Sequence, residues 1–175
     1  MGKRSEFERN ERDYYPTPVS AVRPLIDHLP NSFTFAEPCA GDGRLANHIQ
    51  ALTFYNATVT MLSDVEPQAP GIATLDAFAF TVPNNTDYII TNPPWDRKIL
   101  HPMIEHFSHQ RPTWLLFDAD WMHTAQSAEL MKLCEKIVSV GRVKWIPNSP
   151  SVGKDNCAWY LFDAKHRGPT VFSGR

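Results

Sequence analysis

Apolar positions change period along the chain, and the changes mark out elements. From Val19 to Leu29 they fall at 19, 22, 25, 26 and 29, one face of a helix, with Pro24 placed to kink it. Thr17 is placed to cap that helix and Pro18 to take its first position. Phe33 to Ala36 predicts a short strand, Leu45 to Leu52 a helix, and Ala57 to Leu62 a second strand. Ile72 to Leu75 leads to Asp76, with a short helix expected over 77–80. Tyr88 to Ile90 is a buried-type strand. Residues 100–109 and Ala125 to Cys134 read as helices; Thr113 to Asp118, Lys136 to Trp145 and Cys157 to Phe162 read as strands.

Strand and helix alternate, and the strands are continuously apolar. That pattern predicts a mostly parallel sheet covered on both faces, a doubly wound α/β domain. The last two strands, joined by residues 146–156 rich in Pro, Ser, Gly and Lys, predict an antiparallel addition at one edge. One domain is expected over residues 14–165, after a charged arm (1–13) and before a polar tail (166–175).

Composition narrows the class. With 175 residues, 42% hydrophobic and 21% charged, the chain can bury a core, which excludes wholesale disorder and a coiled-coil rod. No run nears the roughly 18 apolar residues of a membrane helix. The charged start has no apolar region of the secretory type, so a cytoplasmic protein is expected. Three cysteines, Cys39, Cys134 and Cys157, are widely spaced and fit neither a disulfide framework nor a zinc site. His106, His109, His123 and His166 have no ligand spacing, so no metal is expected. A net charge of −2 excludes coating nucleic acid by bulk electrostatics; any such contact must be local.

In an open α/β sheet, ligands bind beyond the carboxyl ends of the strands. The first strand delivers Glu37 and the turn Gly41-Asp42-Gly43, where small residues let backbone approach a ligand. The second delivers Asp64, spaced to accept the hydroxyls of a ribose. Next come Asp76-Ala77, placed to meet an adenine edge, and then Asn92-Pro93-Pro94-Trp95. The glycine turn lacks the third glycine of the dinucleotide fingerprint, because position 46 is alanine. Two prolines directly after a buried strand hold Asn92 and Trp95 in place and keep carbonyl groups out of the backbone ladder.

Together these segments resemble the amino-methyltransferases that use S-adenosylmethionine (SAM), in particular the DNA adenine-N6 methyltransferase family. Phe35-Ala36-Glu37-Pro38-Cys39-Ala40-Gly41-Asp42-Gly43 is similar to the family's SAM motif. Asp87-Tyr88-Ile89-Ile90-Thr91-Asn92-Pro93-Pro94-Trp95 resembles its catalytic (D/N)PP(Y/F/W) motif, and Tyr15-Pro16-Thr17-Pro18 the segment that closes over the methionine part of SAM. The resemblance spans residues 14 to about 162 and implies a Rossmann-like methyltransferase sheet with SAM as cofactor. It also implies roles. Tyr15, Thr17 and Pro18 would meet the amino-acid end of SAM, with Thr17 at its carboxylate. Glu37, Pro38, Ala40, Gly41, Gly43 and Asn92 would line the site. Asp64 would hold the ribose, Asp76 and Ala77 the adenine edge, and Val65 the adenine face.

The chemistry accounts for the residue types. The exocyclic amine of adenine is a poor nucleophile because its lone pair is delocalised. If Asn92 Oδ1 and the Pro93 carbonyl each accept an N–H bond, as the resemblance implies, they would stabilise the charge that develops as the nitrogen pyramidalises. Trp95 would stack on the base, which must be flipped out or already unpaired. Most family members carry a separate recognition domain, so substrate contact is expected here from loops: Arg97 and Lys98 after the motif, and Arg142, Lys144 and Lys154 around residues 146–156. Asp120 and Trp121 are candidates for the same cleft. Cys39 is expected to serve by its size. DNA is the expected partner, with no membrane. Alternatives are an RNA base (guanine N2 or adenine N6), a protein glutamine amide, or a SAM- or nucleic-acid-binding module without turnover. Short methyltransferases of this look are familiar from phage, which makes a bacterial or phage-infected cytoplasm the expected setting.

Overall fold

A computed structural model describes residues 14–146 and 153–175. The expected arm at 1–13 and the centre of the 146–156 connection lie outside the described residues. Three helices, α1 (Val19–Ile26), α2 (Arg44–Leu52) and α3 (Arg97–Ser108), alternate with strands. The strands are β1 (Phe33–Glu37), β2 (Ala57–Asp64), β3 (Ala73–Thr74), β4 (Tyr88–Thr91), β5 (Thr113–Asp118), β6 (Cys134–Arg142), β7 (Asn156–Phe162) and β8 (Val171–Ser173). They form one sheet in the order β3-β2-β1-β4-β5-β7-β6-β8. All neighbours pair parallel except β7, which runs antiparallel between β5 and β6. This is the doubly wound Rossmann-like sheet, with its antiparallel insertion towards the β8 end.

Apolar side chains leave both faces of the sheet, and helices cover both. On one face α1 and α2 bury Val22, Leu25, Leu45 and Ile49 with Trp114 and Trp159. The Trp159 indole N–H donates to the Ala21 carbonyl at 2.8 Å, tying α1 to β7. On the other face α3 buries Leu100, Ile104 and Phe107 against Phe117, Tyr160 and Phe162. Phe117 and Tyr160 stack with centroids 4.2 Å apart. Burial of every β5 residue before Asp118 explains why its sequence, TWLLFD, carries no polar alternation.

Four local expectations are corrected. Thr17 does not cap α1: the helix starts at Val19, Pro18 is the residue before it, and no side chain caps it. The Thr17 hydroxyl is engaged elsewhere, as described below. Residues 77–80 form a turn, not a helix, because the Asp76 carboxylate accepts the Phe78 N–H at 2.8 Å. Ala125 to Cys134 is not an α-helix but two 3-10 turns, Ala125–Ser127 and Leu130–Leu133. Its buried residues Ser127, Leu130 and Cys134 keep a helix-like spacing, but Ser127 and Leu130 fall in different turns. The Ser127 hydroxyl also donates to the Thr124 carbonyl at 2.8 Å. Finally, the expected tail returns as β8, which pairs parallel with β6.

Candidate active site

Chain order places the site. From β1 the sheet grows outward through β2 and β3, then the chain returns to β4 on the opposite side of β1. Loops leaving β1 and β4 therefore diverge and open a crevice at the carboxyl edge. A cavity of about 1100 Å3 occupies it.

The β1 side of this crevice is held by backbone-to-carboxylate bonds. Gly41 and Gly43 adopt left-handed φ values of +53° and +75°, which glycine alone accepts readily. The turned backbone donates the Gly41 N–H to Asp64 Oδ2 at 2.8 Å, while Asp64 Oδ1 accepts the Glu66 N–H at 2.8 Å. Tyr14 lies over Gly41 so closely that a Cβ there would sit 2.5 Å from the ring. Asp64 thus clamps the glycine loop to the end of β2 and still has lone pairs for a ligand. Glu37 is buried, and its Oε2 accepts the Ala46 N–H at 3.2 Å. Burial pushes its carboxyl well above the usual range, and the charges of Asp42 and Asp64 add to this, while the Ala46 bond opposes it. Burial likewise raises the Cys39 thiol, so Cys39 fills space and is no thiolate at neutral pH.

The β4 side is organised around one amide. Asn92 Nδ2 donates to the Tyr15 carbonyl at 3.3 Å and to Thr17 Oγ1 at 3.2 Å. Asn92 Oδ1 accepts the Trp95 indole N–H at 3.3 Å. Trp95 in turn packs edge-on against Trp145, with centroids 5.8 Å apart, and Trp145 meets Tyr15 at 6.3 Å. The Pro16–Pro18 strap and the end of β6 therefore converge on the Asn92 motif from opposite sides.

Most sequence candidates come together here. Tyr15, Thr17, Glu37, Pro38, Ala40, Gly41, Asp64, Val65, Asp76, Ala77 and Asn92 all line the cavity, as does Pro94. Pro18 and Gly43 do not line it; they shape the backbone that does. Pro93 and Trp95 also lie off the cavity, Pro93 buried and Trp95 half-buried behind Asn92. Trp121 is not a cleft residue. It is buried against Phe117 at 5.1 Å, and its indole N–H donates to His101 at 2.9 Å. Arg97 and Lys98 open α3 just after the motif, Arg142 ends β6, and Lys144 and Lys154 flank the β6–β7 connection. All five are exposed and belong to the carboxyl edge; Arg97 also donates to Gln126 at 2.9 Å.

Sequence reasoning missed Tyr14, Phe78, Ile99 and Trp145. Phe78 had a signal, since it stands two residues after Asp76 at a strand end. Tyr14 and Trp145 reach the site only through tertiary packing.

Two features of the cavity define what fits it. Val65 and Phe78 leave 53% and 45% of their surface uncovered, apolar area suited to a flat ring. Asp42, Asp64, Glu66, Asp76 and Asp96 line it beside the raised Glu37 carboxyl, and among the described residues no Lys, Arg or His does. Such a wall favours a ligand with positive charge and disfavours phosphate, and so disfavours a dinucleotide. Among the described residues no helix is long and apolar enough to cross a membrane.

No protein-family model and no curated protein sequence matches the chain. Solved structures do share its fold. The methyltransferase subunit of a type I restriction-modification system from Streptococcus thermophilus superposes with a TM-score of 0.63 at 9% identity, over 91% of this chain and 47% of that one. A Pyrococcus horikoshii protein, provisionally assigned as an RNA methyltransferase, gives 0.60 at 17% identity over 92% and 93% of the two chains. The 23S rRNA methyltransferase ErmE gives 0.53 at 12% identity over 89% and 72%. The chain thus spans about half the length of the restriction-modification subunit. Its fold is the Rossmann-like sheet that these solved structures share.

Proposed function

We propose that the chain binds SAM and transfers a methyl group to an exocyclic amino nitrogen, that of adenine N6 in DNA. The observation that carries the cofactor is the cavity wall: six carboxyl residues and, among the described residues, no cationic one, beside uncovered Val65 and Phe78. SAM is a nucleoside with a positive sulfonium and ammonium and no phosphate, so the residues present fit it. Val65 and Phe78 would take the adenine ring, Asp64 the ribose hydroxyls and Asp76 with Ala77 the adenine edge. Tyr15, Thr17, Glu37, Pro38, Ala40 and Gly41 would enclose the remainder.

SAM supplies an electrophilic methyl group on sulfur. The protein's part is to hold the amine in line and stabilise the charge that builds on it. Asn92 Oδ1 and the Pro93 carbonyl would each accept one N–H of the target. As the nitrogen–carbon bond formed and the carbon–sulfur bond broke, those acceptors would stabilise the positive charge developing on the nitrogen, whose extra proton would leave afterwards to solvent. Trp95 would exchange its hydrogen bond on Asn92 for a stack on the base. The exposed rim of Arg97, Lys98, Arg142, Lys144 and Lys154 supports a polyanionic substrate over a protein amide. The choice of adenine in DNA rests on the likeness of Asn92-Pro93-Pro94-Trp95 to the adenine-N6 motif.

Incubation with labelled SAM and unmethylated duplex DNA, single-stranded DNA or RNA tests this, with digestion to nucleosides. N6-methyladenine in DNA is the expected product. Label only in RNA would move the substrate, and bound SAM with no label in any nucleic acid would reject the reading.

A further inference from the structure

The Asn92 amide can be read without ambiguity, because the groups at its two ends have fixed polarity. A carbonyl can only accept, so the nitrogen must face Tyr15; an indole N–H can only donate, so the oxygen must face Trp95. Reversing the amide would set two acceptors together at Tyr15 and two donors together at Trp95. The Thr17 hydroxyl could serve either way, and here it accepts the second Nδ2 hydrogen at 3.2 Å. Both donors of the amide are thus spent on one strap, and Oδ1 is turned toward Trp95.

The strap is built to hold that arrangement. Thr17 is 4% exposed and stands between Pro16 and Pro18, whose rings fix the backbone on either side. It lines the cavity on one side and touches the amide of the Asn-Pro-Pro-Trp segment on the other.

We infer that Thr17 is a positioning residue for the methyl acceptor: with the Tyr15 carbonyl, its hydroxyl fixes the Asn92 amide so that Oδ1 is presented to the incoming amine. The catalytic consequence rests on the function proposed above; the orientation itself does not. When a target base takes over Oδ1 and Trp95 withdraws to stack, the indole no longer sets the polarity of the amide. Tyr15 and Thr17 then hold it alone. Without the hydroxyl, the amide rocks about the one bond left to Tyr15 and spends less time with its oxygen aimed at the amine. Thr17 therefore acts on the acceptor side of the reaction, through Asn92, although it lines the other side.

The test compares Thr17→Val, which keeps the shape and removes the acceptor, with Thr17→Ser, which restores the hydroxyl. In the free full-length protein, the side-chain amide resonances of Asn92 are identified by their loss in Asn92→Asp, and the Trp95 indole resonance by its loss in Trp95→Phe. Thr17→Val should move the Asn92 pair and speed its hydrogen exchange, while Thr17→Ser leaves both near the parent values. With DNA as acceptor, Thr17→Val should slow single-turnover transfer about tenfold, the worth of one lost hydrogen bond. Serine should recover most of it, and any fall in S-adenosylhomocysteine affinity by calorimetry should be smaller than the fall in rate. Unmoved Asn92 resonances in Thr17→Val would overturn the inference. So would a loss of S-adenosylhomocysteine affinity as large as the loss of rate, since that makes Thr17 a cofactor contact only. If the parent protein methylates no nucleic acid, the functional reading fails, and the resonances decide the orientation on their own.

Discussion

The two sides of the crevice are finished differently. On the β1–β2 side, carboxylates are fixed by backbone N–H groups, as Asp64 is by Gly41 and Glu66 and Glu37 by Ala46, and a cavity of about 1100 Å3 stays open. On the β4 side, the functional groups are fixed by one another. Asn92 Oδ1 already accepts the Trp95 indole N–H, and Trp95 is backed by Trp145. One side is preformed for its ligand; the other fills its own acceptor site. On the proposed function, cofactor binding would need little rearrangement, whereas an acceptor would have to displace a hydrogen bond worth about 1 kcal/mol before reacting.

The largest expected effect comes from breaking the β4 side. Asn92→Ala should lower methyl transfer at least about a hundredfold, the range seen when one preorganised transition-state partner is removed. S-adenosylhomocysteine affinity, measured by calorimetry, should fall far less. Loss of both in equal measure would mean that the two sides are one site.

Asp64→Ala attacks the other side. It removes the clamp on Gly41 and the proposed ribose acceptor together, so SAM affinity should weaken by about 1–3 kcal/mol. Unchanged affinity by calorimetry would remove Asp64 from the cofactor site. Trp95→Ala sharpens the contrast. It should reduce turnover more than cofactor binding, because Trp95 lies off the cavity and against Asn92. If SAM affinity fell more than turnover, Trp95 would belong to the cofactor wall.

The smallest effect concerns Glu37. Its carboxyl is raised by burial, so the folded state holds the proton more tightly than the unfolded chain does. The stability that this proton contributes is full below the ordinary carboxylate pKa and is lost as pH rises through the raised folded value. Glu37→Gln, which stays neutral, should therefore match the parent's melting temperature in mild acid and exceed it in alkali. Parallel melting curves from pH 5 to 9 would show that Glu37 gains enough compensation to ionise freely.

How much of this was legible depended on whether the signal was local. The glycine turn, Asp64, Asp76 and Asn92-Pro93-Pro94-Trp95 stand at strand ends that hydrophobic runs reveal, so both the elements and their chemistry could be read directly. Phe78, two residues past Asp76, was within reach of the same reasoning. The segment 125–134 misled because its buried Ser127, Leu130 and Cys134 keep a helical spacing while its backbone closes in two short 3-10 turns. The tail misled because Val171 and Phe172, each more than half exposed in β8, form a strand only by pairing with β6.

By itself, then, the sequence determined the alternation of elements, the parallel sheet and the identity of the polar residues at its carboxyl edge. Those are set by periodicity and by turn chemistry, which act over a few residues. Only the tertiary structure decided which of those residues hold each other. The pairing of Asn92 with Thr17 and Tyr15 spans 75 and 77 positions, and the Trp95–Trp145 contact joins the ends of different strands. A hydrogen bond or ring contact of that separation depends on loop closure and sheet order, which no local pattern encodes.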